Sequence, residues 1–303
     1  MKKISFTKIG ELFKLAFTKW WNRNPFNESA IIAYNAIFSL PGLLVVVTAI
    51  AGYFFGHDAV SGRLHSQIAQ AMGTDTADQI QKMVMIASKS KDSVWATIMG
   101  IAIILIGATG VFVHLQKTLN TIWEVKAQTT KSEIWLFLKK RIFSFGLIIS
   151  IAFLLLVSLV LSSLLSALAS WVSQHWSESL LVIFEILNAI FSLIIITVLF
   201  ALMFKFLPDT KIKWGSVWIG AFVTSLLFVL GKSALGLYFG KADPASGYGA
   251  AGSIILILLW TSYSSMIVFY GAEFTKVYSD NQYGKLPPSQ NAIKLNVNEN
   301  EKE

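Results

Sequence analysis

The chain has no cysteine, few prolines and little charge. Of its 303 residues, six are proline and only 14% are Asp, Glu, Lys or Arg, whereas a soluble domain carries about 25% charged residues. The absence of cysteine excludes disulfides, thiolate metal sites and a cysteine nucleophile. The shortage of charge, with 54% hydrophobic residues and a mean hydropathy of +0.61, excludes a water-soluble domain and favours a helical membrane protein.

The sequence patterns of common soluble enzymes are also missing. The four histidines form no pair at i, i+4, and there is no GxSxG, no Walker A sequence and no GxGxxG that opens a helix after a strand. The acidic residues form no cluster with the spacing of metal ligands. We therefore expect no enzymatic activity, no cofactor and no metal site.

Long apolar runs are what the chain has in abundance. A helix needs about 20 apolar residues to cross a bilayer, and the runs predict an all-α fold: one membrane domain over residues 1–280 with six transmembrane helices. The predicted spans are 29–55, 94–115, 142–169, 180–207, 214–240 and 250–272. The loops between spans include 116–141, and residues 281–303 are predicted to be a disordered cytoplasmic tail.

Two polar stretches show the periodicity of short amphipathic helices. In residues 1–24, Phe6, Ile9, Phe13 and Trp20 recur at helical spacing among lysines. This pattern predicts a helix that either lies at the membrane interface or packs on the protein's own cytoplasmic loops. A second amphipathic helix is predicted around residues 80–87, in the loop after span 1.

The basic residues are unevenly distributed between the two sides that six spans define. Of the 25 Lys and Arg residues, 19 fall on the side that carries both termini. Since cytoplasmic loops collect Lys and Arg, both termini are predicted to be cytoplasmic. This distribution explains most of the net charge of +8 and the pI of about 9.5, so nucleic acid is not an expected partner.

Ionisable side chains inside membrane spans cost free energy of insertion, so each one is a candidate functional residue. Glu185 in span 4 and Lys232 in span 5 are both predicted to lie roughly 8–12 Å below the outer surface, from the rise per residue of a helix. They could form an ion pair or line a shared polar cavity, or each could extend independently towards water. Glu28, His114 and Glu273 stand at the cytoplasmic ends of spans, where structural roles are expected.

Backbone breaks add further candidates for a binding site. Pro41 should kink span 1, and Gly249 could unwind the start of span 6. Broken helices are where transporters often bind substrates, although a packing kink is an alternative explanation. Gly236-x-x-x-Gly240 is a weak signal of a close helix contact. The candidate substrate-binding residues are Glu185, Lys232, Asn35, Pro41, Tyr248 and Gly249.

Several short motifs, in order along the chain, resemble the YihY/BrkB family of bacterial inner-membrane proteins. They are Glu28 to Tyr34 with Phe38 to Pro41, Leu119-Asn120-Thr121-Ile122-Trp123, Leu207-Pro208, Gly220-Ala221, Tyr248-Gly249, Leu259-Trp260 and Gly271-Ala272-Glu273. The resemblance covers roughly residues 10–280. It implies a six-helix, multi-pass protein of the bacterial inner membrane, in a virulence-related family linked to serum resistance and to traffic of envelope lipids. It supplies no catalytic residues.

Three functions compete at this point. The first is a transporter or flippase for an amphiphilic, anionic envelope lipid, and the second is a non-transporting scaffold for an envelope complex. The third, a ribonuclease, rests on an old family label, and the residues disfavour it. Membrane lipids, including anionic ones, are the expected partners, and a homo-oligomer is compatible with the sequence.

Overall fold

The structure of the protein, a computed structural model, describes residues 6–38, 61–62, 64–66, 68–69, 74–89, 110–127, 179–242, 244, 246–289 and 292–294. These residues are almost entirely helical. In chain order the elements are α1 (Phe6–Asn22), α2 (25–38), α3 (Thr74–Lys89), α4 (110–122), β1 (Val125–Ala127), α5 (Ser179–Phe206), α6 (Trp214–Ala242), a 3-10 helix (Ser246–Ala251), α7 (Gly252–Tyr283) and β2 (Ala292–Lys294).

Three of the described helices are long and apolar enough to cross a membrane. They are Ile186–Phe206 within α5, Trp214–Ala242 and Gly252–Tyr283, and they match the last three predicted spans. Only 29–38 of predicted span 1 and 110–115 of predicted span 2 are described, and both stretches are helical. Predicted span 3 lies outside the described residues. The layout of six spans therefore stays a prediction.

Some boundaries differ from those predicted. Helix α7 continues past 272 to Tyr283, because residues 271–279 are all buried and gain from staying helical. Residues 116–122, expected in a loop, extend α4, since Leu119 and Ile122 enter the main apolar core. In the predicted disordered tail, residues 292–294 form β2, which pairs antiparallel with β1 so that Val125 lies opposite Lys294.

Helices α6 and α7 pack antiparallel and exceptionally close. A Cβ atom on Gly220 would lie 1.8 Å from Oγ1 of Thr275, and one on Gly271 would lie 1.9 Å from Oγ1 of Thr224. Each threonine hydroxyl donates to the carbonyl of the glycine on its own helix four residues earlier, at 2.7 Å for Thr224 and 2.6 Å for Thr275. Small residues at such contacts let two helix backbones approach. A close contact at Gly236-x-x-x-Gly240 stays a prediction, because a Cβ on Gly236 or Gly240 would meet no atom of the described residues within 4 Å.

The two predicted amphipathic helices are confirmed as α1 and α3. Leu12 and Ala16 of α1 are buried against Phe274, Val277 and Tyr278 of α7. One face of α1 thus packs on helix α7, whereas the second alternative placed it on the cytoplasmic loops. Other side chains of α1, such as Phe17, stay exposed.

One end of the described bundle is rich in lysine, and we call it the basic end. Here α5 ends, a short turn through residues 207–213 leads into α6, and α7 ends. The Lys213 ammonium lies 4.0 Å from the centre of the Tyr283 ring, and Lys205 donates to the carbonyl of Ile212. These contacts join the turn to α5 and α7. In the predicted topology the basic end is cytoplasmic.

Candidate functional site

The predicted site residues are scattered along the described chain. Asn35 is half-buried on α2, and Lys232 is exposed on α6. Tyr248 is exposed and lies with Gly249 in the 3-10 helix that precedes α7. Glu185 lies on α5, but its side chain is outside the described part, as is Pro41. No hydrogen bond or ion pair joins any two of these residues in the part of the chain that the structure describes.

Asn35 has a clear packing role. Its side-chain amide donates to the carbonyl of Ile31 at 2.9 Å, and a Cβ on Gly110 would lie 2.6 Å from its Oδ1 atom. Asn35 therefore fills the close contact between α2 and α4. The pair of Glu185 with Lys232 stays a prediction.

A different group of charged residues meets at the basic end, and we call it the ionic cluster: Arg23, Glu124, Glu273 and Lys276. The Arg23 guanidinium donates from Nε to Oε1 of Glu273, and Lys276 donates to Oε1 of Glu124. The side chain of Glu273 is 0% exposed and that of Lys276 is 4% exposed. The cluster therefore links the end of α1, the end of α4 and two positions on α7.

Two residues with left-handed backbone place Arg23 and Glu124 in this cluster. Asn24, with φ 51°, ends α1 just after Arg23, and Glu124 itself has φ 56° just after α4. Asparagine tolerates this conformation, but a glutamate rarely adopts it. Pro25 then starts α2, where its missing N–H costs no hydrogen bond. A non-glycine residue held in this region persists where its surroundings determine it, and such positions concentrate at functional sites.

Burial and charge act in opposite directions on Glu124. Burial by itself would raise the pKa of its carboxyl group, but the hydrogen bond and positive charge of Lys276 outweigh that effect. Lys285 and Arg23 add to the attraction, so the pKa of Glu124 lies below its ordinary value of 4.5. Glu124 is therefore ionised at neutral pH.

Glu273 keeps one carboxylate oxygen unpaired. Its Oε2 atom is buried and has no hydrogen-bond partner among the described residues. A second donor of Arg23, Nη1, does not reach Glu273 but donates to the carbonyl of Thr121 at 3.1 Å. A buried polar atom without a partner calls for an explanation, such as a functional role. Because the Oε2 atom of Glu273 could accept a further hydrogen bond, the ionic cluster has an unused acceptor that a purely structural role does not explain.

Two further polar contacts surround the cluster. Oε2 of Glu28 on α2 accepts a hydrogen bond from Thr118 of α4 at 2.7 Å, and Nε2 of His114 lies 2.9 Å from the same oxygen. The His114 contact is not a hydrogen bond, since Nε2 has no hydrogen-bond partner among the described residues. Asn120 and Asp209 exchange two hydrogen bonds, at 2.8 and 2.7 Å. These contacts tie α4 to α2 and to the turn before α6.

The arrangement can bind a charged group. In the described part of the chain, no three His, Cys, Asp or Glu residues are grouped closely enough to hold a metal ion. A buried ion pair is costly to break, because removing one partner leaves the other charge unpaired in a low-dielectric site. A bound anion could replace the carboxylate of Glu273 as the partner of the Arg23 guanidinium, so that the positive charge would stay paired. The cluster can therefore lock three elements together or bind an anionic group.

Sequence reasoning missed most of this site. It assigned structural roles to Glu28 and Glu273, and it did not single out Arg23, Glu124 or Lys276. Two local signals were available: the Asn24-Pro25 break directly after Arg23, and the i, i+3 spacing of Glu273 and Lys276 on one helix. The ion-pair partners, however, are 250 and 152 residues apart in the chain, so spacing alone does not connect them.

Comparisons with known proteins agree with the membrane fold. A family model described as "Virulence factor BrkB" matches residues 16–294. A "UPF0761 membrane protein" of Cronobacter sakazakii is 28% identical over 262 residues, which cover 84% of this chain and 83% of the relative. Another, from Mannheimia succiniciproducens, is 22% identical over 92% of this chain and 93% of its own length.

Other relatives are longer than this chain. A "UPF0761 membrane protein" of Saccharophagus degradans is 23% identical over 279 residues, and the match covers 91% of this chain but 61% of the relative. No solved structure matches the chain. Because the family model covers most of the sequence and agrees with the apolar helices seen here, this chain belongs to the BrkB family of membrane proteins.

Proposed function

We propose that the protein is a transporter or flippase for an amphiphilic, anionic envelope lipid in the bacterial inner membrane, with both termini in the cytoplasm. The observation that carries the proposal is the ionic cluster, which sits on a helix long and apolar enough to span the membrane. Ionisable groups in such helices are rare, and they mark substrate or ion pathways. The proposal involves no chemical step.

The depth of the cluster supports this function. Tyr283 ends α7, and Glu273 precedes it by about ten residues, which is roughly 15 Å along the axis at 1.5 Å per residue. The exposed Trp214 ring marks the basic end of the neighbouring helix α6. Tryptophan is enriched at membrane–water interfaces. Arg23 and Glu273 would then lie near the boundary between lipid headgroups and acyl chains, where a lipid phosphate is found.

The chemistry of Arg23 suits a phosphate. A guanidinium presents a planar fork of donors that matches phosphate as well as carboxylate. When a headgroup takes the place of Glu273 at Arg23, the released carboxylate needs another cation. Lys276 already interacts with the Glu273 charge, so the pairing can shift within the cluster. Such an exchange would loosen α1 from α7 while a lipid is bound.

Exposed lysines around the cluster would raise the local concentration of anionic lipids. They lie on α1, α4, the two strands, the turn before α6 and the segment after α7: Lys14, Lys117, Lys126, Lys211, Lys213, Lys285 and Lys294. Basic residues near a membrane surface attract anionic lipids, each with about 1 kcal/mol. These lysines do not distinguish one anionic lipid from another, so the ionic cluster would have to select the lipid.

The test is lipid translocation in vesicles that contain the purified protein. Wild-type protein should move a fluorescent phosphatidylglycerol faster than a matched phosphatidylcholine. Arg23→Gln should slow this transport at least tenfold, whereas Lys82→Gln, which removes an exposed lysine of α3 that is not among those lysines, should change it less than about twofold, by analogy with surface charges. Wild-type protein that moves neither lipid, and that co-purifies with a stoichiometric protein partner, would contradict the proposal and favour the scaffold.

The residues predicted near the opposite end form a second part of the proposed path. Glu185 and Lys232 lie on neighbouring helices, and we propose that they contact the headgroup after it leaves the ionic cluster. Lys232→Ala should then slow translocation without lowering the amount of protein in the membrane. Unchanged translocation in this variant would remove Lys232 from the path but would leave the role of the ionic cluster standing.

A further inference from the structure

We propose that the end of α1 and the start of α2 are seated in the lipid leaflet at the basic end through three aromatic side chains, which we call the ring sector: Phe17 and Trp21 of α1 and Phe26 of α2. The ligand class is the acyl chains of that leaflet. This surface is separate from the ionic cluster, and its role as a membrane seat does not depend on whether the protein transports lipid.

Helix α1 is divided into three sectors instead of the usual two. One sector is packed on α7 and consists of Leu12, Ala16 and Trp20. A polar sector is exposed and consists of Glu11, Lys14, Thr18 and Asn22. Between them lies the ring sector, which begins with Phe17 and Trp21, one turn apart on the same helix face. A helix with protein, water and lipid as neighbours needs such a third, apolar sector.

The ring sector is exposed and continuous. Phe17, Trp21 and Phe26 are 51%, 54% and 56% exposed. The rings of Phe17 and Trp21 are stacked at 6.1 Å between centroids, and Trp21 meets Phe26 edge-on at 5.9 Å. Contiguous exposed apolar surface marks a protein or membrane contact. Three rings that already pack on one another offer a preformed apolar surface.

The same surface continues along α2 into the membrane. Every fourth residue of α2 is exposed on one face, from Phe26 through Ala30 and Tyr34 to Phe38. Tyr34 and Phe38 lie in predicted span 1, with ring centroids 5.2 Å apart. An exposed apolar face on a membrane span, with Tyr34 64% and Phe38 52% exposed, is typical of a surface that contacts lipid or protein. The ring sector extends this face beyond the span, so lipid is the occupant that continuity favours over a protein partner.

The position of Trp20 fixes the depth of the ring sector. Its Nε1 atom donates to the carbonyl of Met266 at 3.1 Å, and its ring meets Tyr270 edge-on at 6.0 Å. Met266 lies about 17 residues before the end of α7, or roughly 25 Å along its axis. The end of α1 therefore lies beside the part of α7 that is expected to cross the membrane. Trp21, adjacent to Trp20, is held at the same level.

Charge agrees with this placement. Lys8 and Lys14 are exposed on the sides of α1 that do not touch α7. A helix with lysines beside an aromatic face binds anionic interfaces through both features. The lysines would reach headgroups while the rings lie among the acyl chains.

The absence of native cysteine makes a direct test simple, because single cysteines can be labelled without other changes. Phe17→Cys and Trp21→Cys probe the ring sector, and Lys14→Cys and Thr18→Cys are controls on the polar sector of the same helix. Each variant is labelled with a nitroxide in vesicles of phosphatidylethanolamine and phosphatidylglycerol. The accessibility of the nitroxide to oxygen, which concentrates in lipid, is compared with its accessibility to a water-soluble nickel chelate.

We expect oxygen accessibility to exceed nickel accessibility several-fold at positions 17 and 21, and the order to reverse at positions 14 and 18. Greater nickel accessibility at positions 17 and 21 would overturn the proposal, because the sector would then face water. Low accessibility to both reagents would also overturn it, since a second copy or another protein would then cover the rings. If one ring variant fails to fold, as judged by its melting temperature, the other position decides the outcome.

Discussion

Helix α7 is held by two contacts of opposite chemistry. Against α6 it uses glycine and threonine, and the backbones approach so closely that one added methyl group meets a side-chain oxygen. Against α1 and α4 it uses long charged side chains, which at α1 lie beside a small apolar contact. The first contact depends on volume and tolerates changes of pH or salt. The second depends on charge as well as on apolar burial, so salt and pH should affect the contact with α1 more than the contact with α6.

The largest expected effect comes from removing one partner of the buried ion pair. Arg23→Met leaves Glu273 buried and unpaired, which should lower the free energy of unfolding by about 3–5 kcal/mol. Titration with dodecyl sulfate in mixed micelles measures this quantity. Lys14→Met, which removes an exposed charge on the same helix, is the matched control and should change stability little.

The double variant Arg23→Met/Glu273→Met sharpens this test. Replacing both charges with apolar groups should recover much of the loss, because no buried charge is left unpaired. If the single variant costs no more than the Lys14→Met control, the ion pair does not hold α1 to α7.

The second effect concerns the close contact of α6 with α7. Gly220→Ala would place its Cβ 1.8 Å from Oγ1 of Thr275, and overpacking of this kind costs about 1–3 kcal/mol. Gly236→Ala is the control on the same helix. Its Cβ would meet no atom of the described residues within 4 Å, so the better helix propensity of alanine, about 1 kcal/mol, should be visible as stabilisation.

Combining Gly220→Ala with Thr275→Ala should rescue part of the loss, since the second change removes the oxygen in the way. A double-mutant cycle over the two positions measures this coupling. If the effects of the two substitutions on the free energy of unfolding simply add, the two helices separate to accept the methyl group. The close contact would then not be essential for stability.

The comparison also shows what could be predicted from the sequence. The helices α5, α6 and α7 follow from apolar runs, because the cost of exposing a backbone to lipid leaves no other structure for them. The Gly220 and Gly271 motifs were noticed through family resemblance, but their mutual contact depends on the register of two helices. Spacing alone favoured Gly236 and Gly240 instead, where an added Cβ would meet no atom of the described residues within 4 Å.

The site was harder to predict than the helices. Arg23, Glu124 and Lys276 are ordinary charged residues near helix ends in the sequence, and only the fold shows that they meet. The turn at Asn24 and the left-handed backbone at Glu124 direct two distant segments towards α7. The spacing of hydrophobic residues along the chain does not predict that these two segments meet at α7. The candidates at Glu185, Lys232 and Pro41 stay predictions.

A smaller effect is expected from pH. The pKa of Glu124 is lowered in the folded protein, chiefly because Lys276 outweighs the effect of burial. Its contribution to stability is therefore present above the ordinary pKa of 4.5 and is lost as the pH falls through the lowered folded value. Melting temperature should drop below about pH 4.5, and Glu124→Gln should reduce that dependence. An identical pH profile in the two proteins would show that the Glu124 pair contributes nothing.

The smallest effect is expected at the rim of the basic end. The Lys213 ammonium lies 4.0 Å from the centre of the Tyr283 ring, and such contacts at exposed sites contribute about 0.5–1 kcal/mol. Lys213→Met should lower the unfolding free energy by no more than that amount. Lys211→Met, two residues earlier and equally exposed, is the control, and equal effects would mean that the ring contact is not stabilising.

The most direct measurement of the proposed role of the ionic cluster is the ratio of phosphatidylglycerol to phosphatidylcholine translocation by wild-type protein and by Arg23→Lys in the same vesicles. Lysine keeps the charge and the pair with Glu273 but loses the forked geometry that matches a phosphate. If the cluster binds the lipid headgroup, wild-type protein shows a ratio well above one, and the ratio falls towards one in the variant at an unchanged melting temperature. An unchanged ratio in Arg23→Lys, or no translocation by wild-type protein, would contradict that role.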